Sequence, residues 1–180
     1  GYSMGGGIVA HYAAHRPERV AAAVLLAPVG FVQSEPGFVA RWPVIGDVLM
    51  FLLGGWRIRR DARLAARAEG TDAQMLRWQI RETRFAGYTG AVLSSLRHVI
   101  YVDLTSAHAA MRDHGVPLLA IFAENDGLIP ASSAIRMSEV NPAAQTVEIK
   151  GSGHGLAITH ADQVNAAVIP FLKAAPARPR

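Results

Sequence analysis

No cysteine occurs among the 180 residues, which excludes disulfides and thiolate metal sites and suits a reducing compartment. The expected location is therefore cytoplasmic. No apolar run reaches the roughly 20 residues that a bilayer-spanning helix needs. The most apolar stretch, WPVIGDVLMFLLGGW from Trp42 to Trp56, is shorter and carries Asp47 with glycine and proline breaks in its outer parts. No internal repeat or low-complexity segment is present, apart from a Pro/Ala/Arg tail after Lys173 that is expected to fray. No nucleic-acid-binding motif appears. Charge is sparse and uneven: the formal net charge is +4, and the segment from Arg57 to Arg84, with eight arginines against four acids, holds the whole excess. Acids interspersed among those arginines read as a solvated helix face rather than a surface for nucleic acid or lipid.

What is present is globular in composition, with 51% of residues hydrophobic, and long enough for one domain with a core and a modest insertion. Gly5 to His15 has helical spacing and ends before Pro17. Val20–Pro28 (VAAAVLLAP) and Val116–Ala123 (VPLLAIFA) are short, continuously apolar runs, the pattern of strands buried on both faces, and Gln145–Lys150 (QTVEIK) is a weaker third. Pro130–Val140 reads as a helix with proline in its first turn. LAITHADQVNAAVIPFLKAA is helical in pattern, with Pro170 expected to kink or shorten it. Strands alternating with helices predict an α/β protein with a parallel sheet. From about Gly30 to Ala110 that rhythm stops. This stretch predicts helices around Phe38–Leu53, Ile58–Ala68, after Thr71, and near Gly90–Val99, with Thr71 and Gln74 forming a capping box.

Three motifs carry chemistry. Ser3 lies in G-x-S-x-G, GYSMG, where flanking small residues let the backbone turn sharply enough to project a hydroxyl. A serine hydroxyl needs a base within hydrogen-bond reach and a third group to orient that base. Asp126, in AENDGLIP, follows the strand ending at Ala123, and His154, in GSGHG, follows the strand ending at Lys150. In a parallel sheet Ser3, Asp126 and His154 all fall at the carboxyl edge, where α/β folds build their sites. The glycine run Gly5–Gly7 lacks the lysine of a P-loop and the spacing of a dinucleotide fingerprint, so close packing explains it. His11 and His15 are four apart on one helix, but no acid sits between them as in a zinc hydrolase, so they read as a surface pair. His98, His108 and His114 have no partner pattern. No cofactor and no metal is expected.

With GYSMGG at the elbow, HRPERVAAAVLLAP through the next strand, ENDGLIP at the acid turn and GSGHG at the base, the chain resembles the α/β-hydrolase superfamily. The resemblance implies a parallel sheet with helices and a helical cap. It divides the chain into core (1–30, elbow helix and strand), cap or lid (31–110) and core (111–180, acid and base loops). It implies Ser3 as nucleophile, His154 as general base and acid, Asp126 as its orienting acid, and the backbone N–H of Met4 as an oxyanion donor. Glu124 is a rival acid and His160 a rival base. Asp126 is preferred for the glycine and LIP that follow it, and His160 falls on a predicted helix. Gly30 is followed by no acid before Glu35, so the preceding strand offers no alternative. A serine nucleophile argues against the family's dehalogenases and epoxide hydrolases, which use aspartate. The expected reaction is hydrolysis of small to medium apolar carboxylic esters through an acyl-enzyme, with a small-molecule ester as partner and neither nucleic acid nor a membrane span involved. Trp42, Val44, Leu49, Met50, Phe51, Leu52, Leu53 and Trp56 supply apolar side chains for an acyl pocket or for the cap's own packing. Two alternatives stand beside it: a carbon–carbon bond hydrolase of ring-cleavage products, and a non-catalytic or inactive member of the fold.

The superfamily's core has about eight strands, whereas this sequence predicts three. The strand that carries the elbow and the loop that gives a second oxyanion N–H are expected upstream of Gly1, so the chain reads as the carboxyl-terminal part of a longer hydrolase. The amino side of the turn would lack an anchor, and the first strand would show an apolar edge prone to association. The purified 180-residue chain is therefore expected to fold weakly and hydrolyse p-nitrophenyl esters poorly. Robust turnover that disappears in Ser3→Ala would contradict this.

Overall fold

Three strands, β1 (Ala23–Leu26), β2 (Leu118–Ala123) and β3 (Gln145–Ile149), form a parallel sheet in the order β1-β2-β3 in a computed structural model that describes residues 1–31 and 37–176. Glu35 and the last residues of the tail lie outside the described residues. The register pairs Leu25 with Ala120 and Leu26 with Ile121, and on the other side Ile121 with Val147 and Ala123 with Ile149. Every residue of β2 is buried, and its period of two divides them between two cores. Leu118, Ala120 and Phe122 pack with Ala10 and Ala13 of helix α1 (Met4–His15) and with Met111 and Met137. Leu119, Ile121 and Ala123 pack with Leu156, Val164 and Phe171 on the opposite face. A continuously apolar β2 is thus required, because helices cover both its faces. β3, at the sheet edge, carries exposed Gln145, Thr146 and Glu148.

Gly1–Val32 with Val102–Arg180 form one compact unit and Gln33–Tyr101 a second. In the second unit, the sequence predicts one helix over Phe38–Leu53, but α2 (Phe38–Arg41) stops at Trp42, whose backbone is extended. Pro43 explains this, since its ring disfavours helical backbone in the residue before it. Helix resumes as α3 (Ile45–Leu49), passes through a π turn at Met50–Gly54 and continues as α4 (Gly55–Glu69). Next come α5 (Ala73–Glu82) and α6 (Tyr88–His98). Asp72, not Thr71, caps α5: its carboxylate accepts from Gln74 N at 2.7 Å and Met75 N at 3.2 Å. The helix begins one residue later than the predicted box requires, which puts the aspartate at the capping position. On α4 the exposed Arg57 pairs with Asp61 at 2.7 Å, and Arg60 lies 5.8 Å over the Trp56 ring. Arg97 grips Asp47 with two nitrogens, at 3.0 and 3.1 Å.

In the first unit, α7 (Thr105–Asp113) is a helix that the sequence pattern does not predict and that straddles the expected cap boundary at 110; it packs on α1, and the first unit resumes at Val102. After α8 (Ser132–Val140) and β3, the final helical stretch divides at His160 into α9 (Leu156–Thr159) and α10 (Ala161–Ala174). Pro170 lies inside α10, which runs on past it to Ala174 and so is not shortened there. Among the described residues no helix is long and apolar enough to cross a membrane.

His108 on α7 is fully buried and stacked on Phe31 at 4.9 Å, with neither ring nitrogen hydrogen-bonded. Burial lowers its pKa from 6.5 to about 4, and the nearby Asp103 offsets this only in part. The unfolded imidazole takes up a proton near its ordinary value while the folded one stays neutral, so stability falls as pH drops from about 6.5 towards 4. In urea unfolding at pH 7 and pH 5, His108→Phe is expected to remove roughly 2 kcal/mol of the wild-type loss. An unchanged pH dependence would show that the ring is not held neutral.

Candidate active site

Ser3 stands at the junction of a short extended segment and α1, with φ 52° and ψ −119°. Such a backbone conformation is costly for a residue with a Cβ and persists only where neighbours fix it. They do. Ser3 N donates to Leu26 O at 2.8 Å, Leu26 N to Gly1 O at 2.8 Å and Val29 N to Ser3 O at 3.2 Å, and Tyr2 bridges Leu26 in parallel fashion. The amino side of the turn is therefore anchored on the end of β1, which corrects the expectation that it lacks an anchor and that β1 shows an unpaired edge along its length. Close approach requires glycine at the motif's first position and at Gly6 just beyond it, whereas a Cβ on Gly5 would meet nothing within 4 Å. A side chain on Gly1 would collide with the Gly5 carbonyl, and one on Gly6 would lie 2.8 Å from the Pro28 Cβ.

Asp126 follows β2 in a turn that its own side chain closes, Oδ1 accepting from Leu128 N at 2.8 Å and Ile129 N at 2.9 Å. Its other oxygen, Oδ2, lies 2.8 Å from His154 Nδ1, and His154 Nε2 lies 3.0 Å from Ser3 Oγ. The Asp126 side chain is 1% exposed and that of His154 16%. Burial pushes the Asp126 carboxyl upward, but hydrogen bonds from His154, Ile129 and Leu128 outweigh it and hold the pKa below the usual carboxylate value. An ionised Asp126 has no proton to give, so Nδ1 carries the hydrogen of this bond, and in that tautomer Nε2 can accept from the serine hydroxyl. Positions 3, 126 and 154 are thus brought together. Met4 is the first residue of α1, so its N–H lies ahead of the helix's own hydrogen-bond ladder.

The rivals are engaged elsewhere. Glu124 accepts from Gly151 N at 2.8 Å and from Lys150 Nζ at 3.0 Å, which together hold its pKa below the ordinary value. Lys150 also binds Glu148. His160 closes a local contact with Thr159 Oγ1 at 2.9 Å. The His11 and His15 rings lie 4.2 Å apart at a tilt of 36°, and the described residues hold no cluster of three or more metal-ligating side chains. Sequence reasoning missed two features: the ties between acid and base loops, including Asn125 N to Ser152 O at 2.8 Å, and Tyr2, whose hydroxyl donates to the His154 carbonyl at 2.7 Å. Tyr2 sits inside the elbow motif, at its unspecified position, and that adjacency was the available signal. In the second unit, a cavity of about 530 Å³ is lined by Phe38, Leu49, Met50, Leu53, Trp56 and Leu96, among others. Four residues of the predicted apolar set are among them.

Residues 1–161 match the alpha/beta hydrolase fold family, and the chain belongs to it. Among curated relatives, a pimeloyl-[acyl-carrier protein] methyl ester esterase of Xanthomonas campestris pv. campestris (strain B100) is 30% identical over 98% of this chain and 70% of its own length. One from Aeromonas salmonicida (strain A449) is 28% identical over 91% of this chain and 65% of its own length. The crystal structure of a bromoperoxidase from Bacillus anthracis superposes with a TM-score of 0.78 at 22% identity, over 96% of this chain and 66% of that one. The enol-lactonase from Burkholderia xenovorans LB400 gives 0.72 at 21% identity, over 96% and 64%. The chain thus spans about 70% of the length of the first relative and about two thirds or less of these structural neighbours.

The strained turn yields a stability test that does not depend on chemistry. Ser3→Ala and Ser3→Gly both remove the hydroxyl, but only glycine adopts this backbone conformation without a Cβ penalty. Ser3→Gly is expected to be more stable than Ser3→Ala by about 1 kcal/mol in thermal unfolding, the reverse of the usual order in helices and strands. Greater stability of the alanine variant would mean that the turn is unstrained.

Proposed function

We propose that the protein carrying this chain cleaves carboxylic esters through an acyl-enzyme, with Ser3 as nucleophile, His154 as general base and acid, and Asp126 as the group that orients and stabilises the imidazole. The class, an α/β-fold carboxylic-ester hydrolase, rests on the family match and on curated relatives named as methyl ester esterases. The observation that carries the finer reading is the unbroken relay from Asp126 to His154 at 2.8 Å and from His154 to Ser3 at 3.0 Å, ending on a strained turn.

Ser3 Oγ attacks the ester carbonyl carbon as its proton passes to His154 Nε2, and the resulting oxyanion accepts a hydrogen bond from Met4 N–H. The positive amino end of α1 favours that charge. Collapse breaks the bond to the alkoxy oxygen, which leaves with the proton from His154. Water then gives a proton to Nε2 and attacks the acyl carbon; the acid departs, and Ser3 recovers its hydrogen. The negative charge of Asp126 stabilises the imidazolium in both halves.

For substrate, we assign small to medium apolar acyl esters, with the helical unit Gln33–Tyr101 as the cap. The curated relatives are named for a methyl ester on a pimeloyl-[acyl-carrier protein]. The test is fluorophosphonate labelling together with hydrolysis of p-nitrophenyl esters of graded chain length. Ser3→Ala is expected to abolish labelling, and Ser3→Ala, His154→Ala and Asp126→Asn each to lower kcat by roughly 10⁴-fold or more. Labelling that survives Ser3→Ala would overturn the nucleophile. Faster turnover of a vinylogous diketone than of any ester would move the reaction to carbon–carbon bond hydrolysis by the same three residues.

A further inference from the structure

The base loop, Lys150–Gly155, is tied to the acid loop by Gly151 N to Glu124, Asn125 N to Ser152 O and the Asp126–His154 pair. It reaches the elbow by different bonds. Two of those that join the elbow to His154 directly are Ser3 Oγ with Nε2, at 3.0 Å, and Tyr2 Oη–H to the His154 carbonyl, at 2.7 Å. The Tyr2 ring also lies against the imidazole, centroid to centroid 5.3 Å with a 33° tilt. The Tyr2 backbone is itself fixed: it bridges Leu26, and its carbonyl accepts from Gly5 N at 2.8 Å. A rigid residue next to the nucleophile therefore holds the main chain of the base.

These two bonds have different fates in an acyl-transfer cycle. Once Ser3 Oγ is esterified it carries no hydrogen, so it no longer donates to Nε2. The Tyr2 bond involves no reacting atom and persists. We infer that Tyr2 is a positioning residue whose hydroxyl keeps His154 in register with the acylated serine, so that the imidazole is placed to take a proton from water during deacylation. The inference rests on the proposed acyl-enzyme route. In the free enzyme the Ser3–His154 bond supplies the same alignment, so acylation depends on Tyr2 far less. A purely structural role would slow both halves together, because a displaced imidazole serves neither.

The test is a burst experiment with p-nitrophenyl acetate on the protein carrying this chain, wild type against Tyr2→Phe and Tyr2→Leu. Release of p-nitrophenol in the burst reads acylation, and the following steady phase reads deacylation. Losing one hydrogen bond is expected to slow the steady phase roughly 3- to 10-fold in both variants. The burst rate, the rate of fluorophosphonate labelling and kcat/KM are expected to stay within about twofold, so kcat and KM fall together. Deacylation at the wild-type rate overturns the inference while leaving the triad intact. So does a loss shared equally by both phases, or loss of the cooperative unfolding transition in both variants, since either makes the hydroxyl a structural element only. Absence of labelling in the wild-type protein overturns the acyl-enzyme route itself, and this inference with it.

Discussion

Parallel registration of three strands is the constraint from which the site follows. β2 hydrogen-bonds to β1 on one side and β3 on the other, so Leu26, Ala123 and Ile149 mark a common carboxyl edge. The chain leaves that edge into the Asp126 turn after β2 and the His154 loop after β3, while Ser3 is pinned to the end of β1 through Leu26. A serine at one end of the sequence and a histidine 151 positions later thereby meet. What fixes the registration is burial. Sliding β2 by one residue would exchange Leu118, Ala120 and Phe122 with Leu119, Ile121 and Ala123 between two differently shaped cores.

Ionisable groups near this core are handled in two opposite ways. Asp126, almost completely buried, keeps its charge because three donors converge on its carboxylate, and desolvation is outweighed. His108, also buried, has no donor or acceptor partner and is kept neutral instead. The first arrangement makes a group that can stabilise a neighbouring positive charge, and the second only fills space against Phe31. Glu124, two residues before Asp126 and exposed, has neither burden and acts as a tie between loops. Acid identity alone separates none of these roles; the surroundings of each side chain do.

The strands and the three site positions were legible because each leaves a local signature. Continuous apolar runs mark strands covered on both faces, and the glycines around Ser3 mark a sharp turn, with Gly1 and Gly6 at points of close approach. Other features leave none. The break before Pro43 was visible in principle, yet helical spacing on both sides of it masked the stop. In α7, Ala107, His108 and Met111 make a buried face without the aliphatic periodicity that signals one. The capping of α5 by Asp72 instead of Thr71 turns on a helix start displaced by one residue, a choice the two neighbouring side chains leave open in sequence. The anchoring of the elbow on β1 is carried wholly by backbone groups, which every residue possesses, so no residue type announces it.

That backbone anchoring also explains how strain at the nucleophile is sustained. A positive φ at a serine relaxes unless the chain is held on both sides. On the amino side the Gly1 carbonyl and Ser3 N–H are bonded to Leu26; on the carboxyl side the Ser3 carbonyl receives Gly6 N at 3.0 Å and Val29 N at 3.2 Å. Ala27, the next residue after β1, has its own positive φ of 42° and is held by a 2.7 Å bond from its N–H to Ile121 O. Two residues with positive φ are thus held at the end of β1, each by backbone hydrogen bonds to the sheet. At Ser3 these bonds use the backbone N–H and carbonyl, and the Ser3 hydroxyl meets His154 Nε2 at 3.0 Å.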